Sequence, residues 1–132
     1  MRTHTPTGID LQRTVIIADD EPSMRLLVRA TIDSDDYMVL EAANGQEAWD
    51  LICEQDPALI LLDVQMPGMS GLEVLKLVKN DPARSHAKVI LLTSKAQERD
   101  IEVGLLAGAD FYLTKPFSPL DLLTRVEEAL EL

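Results

Sequence analysis

Two apolar runs in this chain end directly in carboxylates. Val15-Ile16-Ile17-Ala18 runs into Asp19 and Asp20, and Ala58-Leu59-Ile60-Leu61-Leu62 runs into Asp63, with no turn residue between. If both runs are parallel strands of one sheet, three carboxylates meet at one edge. Such groups repel one another and raise some of their own pKa values unless a cation sits among them. A hard divalent cation with oxygen ligands, Mg2+ above all, suits the cluster. Two more polar groups follow apolar runs: Thr93 after Val89-Ile90-Leu91-Leu92, and Lys115 just past Phe111-Tyr112-Leu113. Three aspartates, a hydroxyl and an amine fit phosphoryl transfer to a carboxylate. In that chemistry Asp63 is the nucleophile that forms an acyl phosphate. Asp20, Asp63 and a backbone carbonyl hold the cation, and Thr93 and Lys115 each take a phosphoryl oxygen. The reaction asks mainly for positioning and charge stabilisation, so no general base is essential. Neither His4 nor His86 is placed to be one.

These residues need a sheet to bring them together, and the pattern from Thr14 onward supplies one. The runs at 15–18, 58–62 and 89–92 are continuous rather than alternating, as expected of strands covered on both faces. Met38-Val39-Leu40 and Phe111-Tyr112-Leu113 are shorter and read as edge or near-edge strands. Helices are predicted over about 22–33, 45–55, 70–80, 97–107 and 118–131. Pro22 suits a first helical turn, Asn44 and Ser118 suit N-caps, and Pro119 follows Ser118 at the first helical position. Leu122, Val126 and Leu130 recur every fourth residue as an apolar stripe. Five βα units make a doubly wound α/β domain with a parallel sheet, and in such sheets ligands bind at the carboxyl ends of the strands. The expected division is a loose extension over 1–12 and one domain over 13–132.

Composition narrows the class. The chain has 132 residues, 46% apolar and 27% charged, which suits one globular domain. Its 23 acidic and 12 basic residues give a net charge of −11. That argues against a nucleic-acid partner, which needs a basic footprint, and against docking on anionic membranes. Cys53 is the only cysteine, so neither an intramolecular disulfide nor a cysteine zinc site can form. No apolar run approaches the roughly 18 residues of a membrane span, and no secretory leader is visible. A cytoplasmic protein is expected.

Four stretches taken in order resemble the receiver domain of bacterial two-component response regulators. They are Ala18-Asp19-Asp20-Glu21, Leu61 to Gly71 around Asp63, Leu92-Thr93-Ser94, and Ala107 to Phe117 around Lys115. The resemblance covers about residues 13 to 132. It implies a flavodoxin-like fold of five parallel strands in the order 2-1-3-4-5 with five helices. It also implies that Asp63 is the phosphoacceptor, charged by a histidine kinase or a histidine phosphotransfer protein. Asp20 would ligate Mg2+ directly, Asp19 through water, and Gln65 through its backbone carbonyl. Tyr112 would be an aromatic switch that turns inward as Thr93 moves toward the phosphate, and the Lys115-Pro116 bond would be cis. Gln65 and Lys95 would flank the path of attacking water and tune the phosphate lifetime.

Val103, Leu106 and Phe111 stand where polar groups are frequent in this family, and they suggest an apolar contact for a downstream protein target or a second copy. The opposing expectation is that these side chains tuck against the domain. Trp49, Met66 and Met69 read as packing residues, Cys53 as a small core or boundary residue, and Glu21 as lying outside the metal shell. The stretch Asp33-Ser34-Asp35-Asp36 reads as a solvated turn. The overall expectation is a stand-alone switch domain rather than an enzyme, with a domain cut from a longer regulator as its alternative. An aspartyl-phosphate phosphatase of the haloacid-dehalogenase type fits less well, because such enzymes place Asp-x-Asp after the first strand. A phosphorylation-independent interaction module is disfavoured by the intact set of five polar residues.

Overall fold

A computed structural model describes residues 13–94 and 98–130. The expected extension over 1–12, and with it His4, lies outside the described residues, as does Lys95. The elements run β1 (Arg13–Ala18), α1 (Pro22–Thr31), β2 (Tyr37–Ala42), α2 (Gly45–Gln55), β3 (Leu59–Asp63), α3 (Gly71–Asn80), β4 (Lys88–Ser94), α4 (Glu98–Leu106), β5 (Phe111–Lys115) and α5 (Pro119–Leu130). All strand pairs are parallel, in the order β2-β1-β3-β4-β5. This is the doubly wound, flavodoxin-like architecture expected.

Hydrophobic patterning explains the strand order. Every residue of β3 is buried, and so are the five central residues of β4. Edge strand β2 is less covered, burying only Val39 and Ala42. Side chains on the two faces of the sheet build two cores. On one face Ile16, Ile60, Leu62 and Leu91 pack with Ile52 of α2 and with Val74, Leu75 and Val78 of α3. On the other, Ile17, Leu59, Leu61 and Ile90 pack with Val28 of α1 and with Leu122, Val126 and Leu130 of α5. The strand order reverses between β1 and β3, and in such sheets the crevice at that reversal is where ligands bind.

Helix ends follow the sequence. Pro22 opens α1. The Asn44 side chain accepts from the Glu47 N–H, and the Ser118 hydroxyl accepts from Asp121 N–H at 3.0 Å. Ser70 caps α3 rather than lying within it. Its hydroxyl and the Glu73 carboxylate exchange hydrogen bonds with each other's backbone N–H, the reciprocal capping box. Asp56, in the left-handed region at φ 48°, ends α2.

Cys53 departs from expectation. It is exposed, because buried Ala48 and Ile52 fix the inward face of α2 and the next residue turns about 100° away from it. Trp49 and Met69 pack at the edge of one core and Met66 is buried. No helix among the described residues is long and apolar enough to cross a membrane.

Candidate functional site

The carboxyl ends of β1, β3, β4 and β5 converge as the sequence suggested. Asp19 follows β1 and is fully buried, Asp63 closes β3 and is nearly so, and Thr93 lies buried in β4. Lys115 ends β5 and reaches across the sheet edge. Its Nζ donates to Asp19 Oδ2 at 2.8 Å. It also lies 3.4 Å from Asp63 Oδ1 and 3.6 Å from Glu21 Oε1. The other Asp19 oxygen accepts the Glu21 backbone N–H at 2.9 Å. Both oxygens of Asp19 are therefore engaged by the protein. Asp20 is exposed and lines an open cleft with Glu21, Asp63, Gln65, Ser94 and Lys115.

The electrostatics of this cluster are asymmetric. Burial, followed by the charge of Asp19, pushes the Asp63 carboxyl up from 3.8 to about 6. Lys115 pulls against them, and Asp20 adds a smaller push. On Lys115 burial alone would lower the pKa, but hydrogen bonding to Asp19 and the charges of Asp19, Asp63 and Glu21 outweigh it and hold the ammonium above its usual value. One amine thus offsets a crowd of acids only in part. Among the described residues, Asp19, Asp20 and Glu21 form a carboxylate group, each offering an oxygen within 4.8 Å of the others. Asp63 stands beside this group and is joined to it through Lys115.

The segment after β3 presses close to Asp63. Val64 N–H donates to Leu92 O and Gly71 N–H donates to Val64 O, both at 2.9 Å. A Cβ on Gly71 would run into the Asp63 carbonyl oxygen, so only glycine lets α3 start this near the site. Gly68, at φ 73°, turns the loop between. On the other side of the site, the Lys115-Pro116 bond is cis.

Thr93 is opposite Thr114 in the β4–β5 register and Leu91 is opposite Tyr112. Alternation along the strands puts Thr93 and Tyr112 on one face of the sheet. The Thr93 hydroxyl donates to Ser94 O at 3.3 Å, while the Tyr112 ring is exposed. Farther out, Val103 is exposed and Leu106 is 84% exposed. Phe111 differs from the expectation of an exposed apolar group. It is half-buried against the α5-side core, with the Arg125 guanidinium 5.8 Å from its ring centroid. Leu105, Tyr112 and Leu120 carry the exposed apolar surface in its place. His86 lies on the surface, 3.4 Å from Asp56 and away from the cleft.

Sequence reasoning passed over three neighbours of the site. Glu21 reads from the sequence as lying outside the metal shell, yet its carboxylate joins the acid group and its backbone N–H holds Asp19. Ser94 lines the cleft. Arg25 donates to the Asp19 carbonyl oxygen at 2.7 Å. Glu21 and Ser94 were within reach, since each adjoins a residue already singled out. For Arg25 the only signal was its place one turn into the helix after the acid pair.

The response regulator receiver domain matches this chain over residues 15–127. The phosphate regulon transcriptional regulatory protein PhoB of Pseudomonas aeruginosa is 40% identical over 118 residues, covering 89% of this chain and 52% of that protein. Transcriptional regulatory protein SrrA of Staphylococcus aureus is 35% identical over 120 residues, covering 91% of this chain and 48% of that protein. The chain therefore spans about half the length of the curated relatives it matches. Among solved structures, a putative response regulator from Chloroflexus aurantiacus superposes with a TM-score of 0.85 at 30% identity, over 92% of this chain and 99% of that one. The chemotaxis response regulator CheY4 of Vibrio cholerae superposes with a TM-score of 0.82 at 30% identity, over 89% and 98%.

Proposed function

The chain belongs to the response regulator receiver family, and from that premise we propose that Asp63 is the phosphoacceptor of a Mg2+-dependent switch. The observation that carries this reading is the pairing of a buried carboxylate, held up at about 6, with a lysine ammonium 3.4 Å away at the mouth of a cleft. An Asp63 oxygen attacks the phosphorus of the donor, the bond from phosphorus to the donor's leaving group breaks, and the leaving group departs with that electron pair. Lys115 neutralises a phosphoryl oxygen and Thr93 supplies a hydroxyl to another.

The donor set fits a hard cation: carboxylates and a carbonyl, in a cluster whose one amine leaves its repulsion unrelieved. Asp20, Asp63 and the Gln65 carbonyl would hold Mg2+. Asp19, with both oxygens already engaged, would act through water. When bound, Mg2+ would neutralise phosphoryl charge as it transfers. The exposed carboxylate of Glu21 adds a further oxygen at the rim.

Signal output runs from Thr93 to Tyr112 on the shared sheet face, and on to the surface formed by α4, β5 and α5. Val103, Leu106 and the neighbouring Leu105 and Leu120 offer that surface its apolar contact for a target protein or a second copy. A histidine kinase or histidine phosphotransfer protein is the donor. The domain works in the cytoplasm and binds no nucleic acid itself, in keeping with its net charge of −11.

The test is intact mass after incubation with Mg2+ and acetyl phosphate. Wild type should gain one phosphoryl group, and omission of Mg2+ or Asp63→Asn should abolish the gain. No gain in wild type would overturn the reading.

A further inference from the structure

Arg25 and Glu41 form a bonded bridge behind the acid cluster. Arg25 lies one turn into α1 and its side chain is largely buried, at 16% exposed. Its Nε donates to Glu41 Oε1 at 2.9 Å, and its terminal nitrogen donates to the Asp19 carbonyl oxygen at 2.7 Å. Glu41, near the end of β2, is opposite Ile17 in the β1–β2 register and so stands on the α1 side of the sheet. Its second oxygen accepts from Arg29 Nε at 2.9 Å. Arg29 in turn donates to Val39 O rather than to anything at the site.

The Asp19 carbonyl belongs to the peptide that joins Asp19 to Asp20. On its other side, Asp19 N–H donates to Ala42 O at 3.1 Å. The two peptides that flank the Asp19 Cα are therefore pinned, the first from β2 and the second from α1. We propose that Arg25, braced by Glu41, is a positioning residue for the divalent-cation site: it fixes the Asp19–Asp20 peptide and so aims Asp20 into the cleft. This inference rests on the reading of the cluster as a Mg2+ site. Groups that orient a metal's ligands without touching the metal typically govern its affinity by about 10- to 100-fold. The planar fork of Arg25 serves a carboxylate and a carbonyl together, which a single ammonium does not reproduce.

Charge and positioning make opposite predictions here. Arg25→Gln removes a cation near the site, so a purely electrostatic role would tighten Mg2+ binding. Loss of positioning weakens it. Arg29→Gln removes the same charge from the same helix and the same glutamate, but leaves the Asp19 carbonyl bond in place. The experiment is titration of each variant with MgCl2, followed by backbone amide NMR shifts. The spectrum reports folding in the same sample.

Arg25→Gln should raise the Mg2+ Kd about tenfold. Arg25→Lys, which keeps the charge and the fold if the Gln variant does not, should move the same way. Arg29→Gln should stay near wild type. An Arg25→Gln Kd equal to or below wild type, or equal weakening in both Gln variants, would overturn the assignment. If wild-type amides fail to shift with Mg2+, the cation-site reading falls and Arg25 falls with it.

Discussion

Asp63→Asn should make the folded domain more stable, although it removes the proposed acceptor. Asn keeps the shape of Asp and discards its charge. In the folded state the Asp63 carboxyl titrates at about 6, against 3.8 in its ordinary setting, because burial and Asp19 outweigh Lys115. The folded protein thus holds this proton more tightly than the unfolded chain. At pH 7 the charged form costs stability, and the full cost is present above the folded value. As pH falls through about 6 the cost shrinks, and below 3.8 it is gone. Two pKa units correspond to about 3 kcal/mol, and linkage leaves roughly half of that at pH 5. Urea denaturation followed by circular dichroism, without divalent cations, should show Asp63→Asn more stable than wild type by about 2–3 kcal/mol at pH 7.5. The advantage should fall steadily toward pH 4. Saturating Mg2+ should also erase it, by binding folded wild type alone. A variant no more stable than wild type at pH 7.5, or one whose advantage ignores pH, would refute the argument that Asp63 is held charged against its surroundings.

Lys115→Ala leaves buried Asp19 without its 2.8 Å partner and should destabilise the domain by about 3–5 kcal/mol at pH 7. Denaturation at pH 5 or with added Mg2+ should recover part of that loss, whereas a loss independent of both would point to packing. Gly71→Ala places a Cβ against the Asp63 carbonyl and should lower the urea midpoint while slowing phosphoryl uptake. Leu106→Glu alters a side chain that is 84% exposed, so stability should change by less than about 0.5 kcal/mol. Light scattering after beryllofluoride treatment should show that any mass increase seen in wild type is lost in this variant, and retention would remove Leu106 from the contact.

Continuous apolar runs announced β1, β3 and β4, and short runs announced the two edge strands, because a strand covered on both faces has no position for polar groups. The acids were legible for a related reason: a charged residue directly after such a run can only lie at the sheet edge. What escaped the sequence depends on parity and register. Arg25 reaches the site only because Glu41 faces α1, and that follows from the pairing of Ile17 with Glu41, which no local pattern specifies. Cys53 turned out to be exposed for want of a single residue's rotation around α2. Phe111 folded back on the core because Arg125 and the α5 side chains offered its ring a surface.

Asp19 and Asp63 show how one sheet edge can make two unlike acids. Asp19 accepts a backbone N–H on one oxygen and an ammonium on the other, and its own backbone N–H and carbonyl are bonded to β2 and to Arg25. Asp63 shares the same ammonium at 3.4 Å, so the better-placed acid takes most of the compensation and the other keeps its repulsion. The cost of keeping Asp63 charged, burial first and the charge of Asp19 second, is about 3 kcal/mol by the linkage argument, and a cation at Asp63 relieves part of it. Carrying a two-state element from rare to dominant takes roughly 5 kcal/mol of differential interaction. Relief at Asp63 strengthens ligand binding, and it biases a switch only as far as it differs between the two states. That difference has to come from contacts made in one state only, and Thr93, at the site, and Tyr112, exposed on the same sheet face, are placed to make them.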